Sequence, residues 1–133
     1  RDDEVELKKA LLTPTRIYVQ LILNLLKNQR ENITGLAHIT GGGFHNIPRI
    51  REDLGFEIHQ LPSSEWRPSF MNTIIERSGL ANEALYETFN MGIGFVLAVK
   101  DEARAMAFFK SQSEVVLKLG KVSHSFSGLK FTN

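Results

Sequence analysis

The segment from Gly35 to Arg49 holds the densest group of residues that could do chemistry. It is a short apolar run followed by three glycines and a helix-like turn, with the sequence GLAHITGGGFHNIPR. Backbone N–H groups of such a loop, with no side chains to block them, can bind an anion such as phosphate. The alternative is that the glycines only make a tight turn, and the spacing matches neither the P-loop nor the dinucleotide-binding fingerprint.

Side chains next to the glycines could add to an anion site. Thr40 offers a hydroxyl donor, and Arg49 can pair with a second phosphate oxygen. His38 and His45 are candidates for acid–base chemistry, although a single histidine in an apolar strand is more often a hydrogen-bonded core residue. These two histidines are seven residues apart with no carboxylate near them in the sequence, so we expect no metal site.

Two further segments could present polar groups to a ligand. The corner Thr13–Arg16 lies between two predicted helices, and Thr15 either caps the second helix or faces a ligand together with Arg16. The cap is the simpler interpretation. Asn90 and Gly92 place an amide and a glycine before an apolar run, where the backbone can approach a ligand closely. A tight turn explains this glycine equally well.

The elements that must position these groups alternate between helix and strand. Apolar spacing predicts helices over 3–12, 18–30, 68–77, 83–89 and 101–111, and strands over 35–40, 56–61, 95–99, 114–122 and 129–131. Asn82 is predicted to cap the fourth helix, and the alternating segment 56–61 is predicted to be an edge strand. We therefore expect an α+β fold, with helices layered on a mixed β-sheet.

Length and composition limit the classes of function. The chain has 133 residues, which predicts a single domain over 1–133. It has no cysteine, which excludes disulfides, thiolate zinc sites and a cysteine nucleophile, and nothing indicates an oxidising compartment, so we expect a cytoplasmic protein. The net charge of +1 gives no long-range electrostatic field that would attract nucleic acid. The apolar stretch 17–26 is too short to span a bilayer. We expect neither a nucleic-acid nor a membrane partner.

Four segments, in order, resemble the aminoimidazole ribonucleotide synthetase family, also called phosphoribosylformylglycinamidine cyclo-ligases. They are Leu11–Val19, Gly35–Phe44, Asn46–Arg49 and Glu87–Gly94, and Leu119–Val122 adds a further likeness. The resemblance covers nearly the whole chain and is to the C-terminal domain of the family only. It implies the C-terminal domain fold of that superfamily. It also implies that an N-terminal ATP-binding domain is absent from this chain, and the non-Met start agrees with a domain fragment.

The resemblance also implies a reaction. In this family ATP activates the formyl amide oxygen of formylglycinamidine ribonucleotide as a phosphate ester, and attack by a nitrogen closes the ring and expels phosphate. The product is aminoimidazole ribonucleotide, an intermediate of de novo purine biosynthesis. The implied cofactors are ATP and Mg²⁺, bound mostly by the N-terminal domain, which also forms the main contact of a homodimer. We therefore expect this chain to be inactive alone.

The resemblance implies site residues position by position. It implies substrate or phosphate binding by Thr15, Arg16, Thr40, Gly41, Gly42, Gly43, Arg49, Asn90 and Gly92. It implies a catalytic or orienting role for His38 and Asn46. One departure is that segment 44–46 is one residue shorter than the family pattern, and such a deletion at a helix start rotates the subsequent residues by about 100°. Either the turn absorbs this change or Asn46 and Arg49 are displaced, and His45 is a candidate to replace the missing side chain.

Two other functions remain alternatives to half of a cyclo-ligase. One is a stand-alone or divergent module that binds a phosphorylated ligand without catalysis, which the shorter segment and the missing domain favour. The other is a sister enzyme of the same superfamily that activates an oxygen or selenium acceptor with ATP. The segments Thr13–Arg16 and Phe89–Gly92 favour the purine enzyme.

Overall fold

The structure is a computed structural model that describes residues 2–132. In that range helices and strands are interspersed, and two short 3₁₀ segments occur at Arg30–Asn32 and Gly43–Ile50. The elements in chain order are α1 (Asp2–Leu11), α2 (Val19–Gln29), β1 (Ile33–His38), β2 (Gly55–Ile58), α3 (Ser69–Ser78), α4 (Asn82–Thr88), β3 (Phe95–Val99), α5 (Glu102–Ser111), β4 (Gly120–Ser123) and β5 (Gly128–Phe131). None of the helices between residues 2 and 132 is long and apolar enough to cross a membrane.

The ends of the helices reflect local chemistry. Gly79 ends α3 in the left-handed conformation at φ 63°, and the Asp101 carboxylate begins α5 by accepting the Arg104 N–H at 3.0 Å. The predicted Asn82 cap of α4 is wrong. The Ala81 carbonyl already accepts the Leu85 N–H, so the helix starts one residue earlier and Asn82 lies in its first turn without a capping bond.

The strands form two sheets. β1 pairs antiparallel with β3, while β2 lies between β4, antiparallel to it, and β5, parallel to it. The α+β fold class is confirmed, and the three-stranded sheet is mixed as expected. The prediction of an edge strand is wrong because β2 is central, with Phe56 and Ile58 buried. The alternating pattern shows that one face is covered, and it does not show how many neighbours a strand has.

The strand predicted over 114–122 forms only at its end, as β4. Residues 114–119 run as a loop. The Glu114 carboxylate pairs with Arg16, which holds the start of this loop against the corner before α2. The Leu119 carbonyl accepts N–H bonds from two successive residues after β2, which is not the spacing of a regular ladder.

The main hydrophobic core surrounds the 3₁₀ segment Gly43–Ile50. Phe44 and Ile47 of this segment pack with apolar residues of β2, α3, α4 and the turn before β3, namely Phe56, Ile58, Met71, Leu85, Met91 and Ile93. A second cluster joins α2, β1 and α5 through Leu25, Ile33 and Phe109. The chain just after the three glycines is therefore anchored in the larger core.

Candidate functional site

The glycine loop, residues Thr40–Gly43, connects β1 to the 3₁₀ segment. Gly42 and Gly43 have φ values of 90° and 52°, a left-handed conformation that favours glycine. A Cβ added to Gly43 would lie 2.2 Å from the Tyr86 carbonyl oxygen, whereas one added to Gly41 would meet nothing within 4 Å. Gly43 therefore packs against the backbone at the end of α4, while Gly41 and Gly42 are exposed and have open space beside them.

Three successive donors of the glycine loop are available. Within residues 2–132, the backbone N–H groups of Thr40, Gly41 and Gly42 have no hydrogen-bond partner. The next N–H, of Gly43, donates to the Thr40 carbonyl at 3.1 Å. Consecutive free N–H groups in an exposed loop can bind an anion, and anion binding at this segment stays a prediction.

The Asn46 side chain lies beneath the glycine loop and is only 3% exposed. Its Nδ2 donates to the carbonyl oxygen of Gly43 at 2.8 Å, and more weakly to those of Gly41 at 3.2 Å and Thr40 at 3.4 Å. Its Oδ1 accepts a bond from Arg49 Nη1 at 2.9 Å. The structure thus brings the loop, Asn46 and Arg49 together in one network.

A pocket of about 280 Å³ lies next to this loop. Four separate segments of the chain line it, and three of them contribute five of the predicted site residues, Thr15, Arg16, His38, Asn90 and Gly92. The Ile39 N–H donates to the Gly94 carbonyl at 2.9 Å, which joins the end of β1 to the turn before β3. The glycine loop and Arg49 do not line this pocket, so the predicted residues form two adjacent groups.

His38 is exposed at the end of β1. Along this strand Thr34, Leu36 and His38 face solvent, because successive side chains of a strand point to opposite faces. The alternative of a buried core histidine is therefore wrong. The imidazole centroid lies 5.9 Å from the Tyr18 ring and 6.0 Å from the Phe95 ring, which hold it at the pocket wall.

Thr15 and Arg16 differ in whether their side chains already have a partner in the fold. The N-cap position of α2 is held by Tyr18 and carries no side-chain bond, so the capping interpretation of Thr15 is wrong and its side chain is exposed at the pocket. Arg16 pairs with Glu114 and lies 5.4 Å over the Tyr18 ring. The hydrogen bond that the Arg16 guanidinium donates to Glu114 raises the pKa of Arg16. An anionic ligand that contacts Arg16 must compete with this carboxylate.

Asn90 begins a tight turn that reaches the pocket. Its Oδ1 accepts the Gly92 N–H at 3.0 Å, and its carbonyl accepts the Ile93 N–H at 2.9 Å. Met91 and Gly92 both have positive φ, of 51° and 86°, as in a type I′ turn. The side-chain amide nitrogen of Asn90, Nδ2, has no hydrogen-bond partner among the residues that the structure describes, so it stays available to a ligand.

Sequence reasoning missed two contributors to this region. His45 Nε2 lies 3.4 Å from Glu87 Oε1 of α4, although the sequence placed no carboxylate near His45. Tyr18 lines the pocket, although its spacing indicated only the apolar face of a helix. No signal in the sequence links His45 to Glu87, because the fold alone brings the 3₁₀ segment against α4. In the described part of the chain, no three His, Asp or Glu side chains cluster to hold a metal ion.

The fold and site define an α+β domain with an exposed glycine loop beside a pocket built from four segments. Residues 1–128 match the family described as AIR synthase related protein, C-terminal domain. The chain belongs to this family, which confirms the resemblance found in the sequence.

The chain is similar to proteins named phosphoribosylformylglycinamidine cyclo-ligase. It is 42% identical over 132 residues to that of Desulfitobacterium hafniense, covering 94% of this chain and 37% of the relative. It is 39% identical over 119 residues to that of Methanococcus maripaludis, covering 88% of this chain and 33% of the relative. It is 38% identical over 124 residues to that of Clostridium perfringens, covering 91% of this chain and 36% of the relative. The chain therefore spans about a third of the length of these relatives.

Proposed function

We propose that this chain is the C-terminal domain, over 1–133, of an ATP-dependent cyclo-ligase that converts formylglycinamidine ribonucleotide to aminoimidazole ribonucleotide in purine biosynthesis. The observation that carries the proposal is the pocket where Thr15, His38 and Asn90, from three of the resembling segments, meet beside the exposed glycine loop. The names of the relatives support the same reaction. The proposed location is the cytoplasm.

The chemistry of the site agrees with this role. Phosphoryl transfer needs positioned donors around developing negative charge more than it needs a strong acid or base. In the proposed reaction the N–H groups of Gly41 and Gly42 and the Arg49 guanidinium bind phosphate oxygens. The free amide of Asn90 orients the substrate, and His38 holds or moves a proton at the pocket wall.

ATP supplies the transferred phosphoryl group when it is bound. In the described residues no three His, Asp or Glu side chains cluster to hold a metal ion, and we assign no magnesium ligand to this chain. We propose that an N-terminal domain binds most of the ATP and the Mg²⁺, and that this chain is inactive without it.

Exposed apolar residues near the start of the chain support a partner domain. Leu12 and Ile17 are each 82% exposed, and Val19 is 63% exposed. Large apolar side chains that are exposed this close together in the sequence are typical of an interaction surface. We propose that the N-terminal domain covers them and that the assembled protein is a homodimer, as in the family.

A chimera tests the proposed function. In it, this chain replaces the matched C-terminal part of the Desulfitobacterium hafniense relative, and the intact relative is the positive control. We expect the chimera to form aminoimidazole ribonucleotide and ADP from formylglycinamidine ribonucleotide, ATP and Mg²⁺, while this chain alone forms neither. A folded chimera that binds the ribonucleotide but releases no ADP would contradict the proposal and favour a binding module without catalysis.

The chimera also allows a direct test of the proposed role of His38. In the chimera, His38→Ala is expected to lower kcat by roughly 10²-fold or more, the usual scale for a lost proton-transfer group. The melting temperature should not change, because the ring is exposed. His124→Ala, at another exposed histidine, is the matched control and should keep full activity. Equal kcat values for the two variants would remove His38 from the mechanism.

A further inference from the structure

Asn46 is the best-connected polar side chain of the candidate site. We propose that it is a positioning residue, which fixes the direction of the free N–H groups of the glycine loop and the orientation of Arg49. The inference rests on the proposed phosphate-binding role of the loop. It differs from the sequence interpretation, which left Asn46 a catalytic or orienting role.

Asn46 fixes the direction of the backbone groups of the glycine loop. In a planar trans peptide, the C=O of one residue and the N–H of the next point in opposite directions. Asn46 Nδ2 draws the carbonyl oxygens of Thr40 and Gly41 toward the buried side, at 3.4 and 3.2 Å. The N–H groups of Gly41 and Gly42 must then point away from Asn46. These are two of the three N–H groups that have no partner within residues 2–132.

Asn46 also holds the Arg49 side chain. Its Nη1 donates to Asn46 Oδ1 at 2.9 Å, and its other nitrogens make no hydrogen bond with the described residues. The guanidinium is thus held by one corner and keeps its remaining donors for an anion. One carboxamide therefore orients both the backbone donors and the charged side chain that the proposed site needs.

The existing hydrogen bonds of Asn46 exclude its direct contact with a ligand. A carboxamide has two N–H donors and one carbonyl oxygen. The two hydrogens of Asn46 already serve three carbonyl oxygens, its Oδ1 is bonded to Arg49, and the residue is 3% exposed. Asn46 has no free group to offer to the reacting atoms, so it acts through the loop and Arg49.

The test is phosphate binding by the intact 133-residue chain. Inorganic phosphate is titrated while the backbone amide resonances of Gly41 and Gly42 are followed by NMR. Asn46→Leu keeps the approximate volume and adds no charge, and we expect it to weaken phosphate binding about tenfold or more and to reduce the shifts of both amides. We expect Arg49→Ala to weaken binding too. The double variant should bind about as weakly as Asn46→Leu, because Arg49 contributes to binding only when Asn46 orients it.

Asn32→Leu is the matched control. Asn32 is also 3% exposed and makes three hydrogen bonds, to Gln29 and to the Asp101 backbone. This variant should lose stability and keep phosphate binding. If Asn46→Leu does not fold, Asn46→Ser takes its place, because its hydroxyl is too short to reach Arg49 and the same loss is expected.

The outcomes separate the two proposals. If the unmodified chain shows no phosphate shifts at Gly41 and Gly42, the proposed role of the loop is wrong. If it binds phosphate and a folded Asn46 variant binds equally well, only the positioning role is overturned. Independent, multiplying losses from Asn46 and Arg49 would also overturn it, since they would show that the two residues act separately.

Discussion

Gly43→Ala is expected to destabilise the domain by roughly 2–5 kcal/mol, the sum of backbone strain and overpacking. The added Cβ would lie 2.2 Å from the Tyr86 carbonyl oxygen and 2.6 Å from that of Phe89, at a φ of 52°. Both contacts are with backbone atoms, so no side-chain rotation can relieve them. Urea unfolding monitored by circular dichroism measures the change.

Gly41→Ala is the control for this prediction. A Cβ at Gly41 meets nothing within 4 Å, so its free energy of unfolding should change by less than about 1 kcal/mol. Equal unfolding midpoints for the two variants would contradict the packing described for Gly43. A bulky residue at Gly42, where the space is open but φ is 90°, should abolish ligand binding and cost about 1–3 kcal/mol of stability through backbone strain alone.

Phe44→Ala is expected to cost about 3–5 kcal/mol, the usual loss for a fully buried phenylalanine. Phe44 is 0% exposed, and its ring centroid lies 5.0 Å from that of Tyr86 and 6.3 Å from that of Phe131. Because Phe44 comes directly after the glycine loop, the cavity would also loosen the loop. We therefore expect weaker phosphate binding together with the lower free energy of unfolding.

Phe126→Ala provides the comparison for Phe44→Ala. Phe126 is only partly buried and lies on the side of β2 near Gly55. It should lose less stability in the same urea titration and should not affect phosphate binding. A loss at Phe126 as large as the loss at Phe44 would show that the core is not centred on the 3₁₀ segment.

The sequence predicted those parts of the fold that depend on neighbours along the chain. The spacing of Ile22 and Leu25 predicted α2, and the apolar run Phe95–Val99 predicted β3. It did not predict that β2 is central, because its partners, β4 and β5, come from the far end of the chain. The position of a strand in its sheet depends on these distant pairings.

In the candidate site, too, the sequence predicted features that depend on neighbouring residues and missed those that depend on distant ones. The glycines and His38 stood out by type and spacing, and the structure places His38 at the pocket and the glycines in the loop next to it. The pairing of Arg16 with Glu114 could not be predicted, since 98 residues separate them. The burial of Asn46 was missed for another reason. An asparagine after glycines suggests an exposed polar group, and only the folded loop shows that its carbonyls converge on that side chain.

The order in which the strands pair bears on how fast the domain folds. Within residues 2–132 each strand pairing joins distant parts of the chain, and the least distant contact in register is His38 with Phe95. Long loops must therefore close before any sheet contact is made, which slows folding. We expect refolding on the order of milliseconds to seconds, typical of topologies with non-local pairing. During synthesis, β1 and β2 must wait for partners that emerge from the ribosome much later.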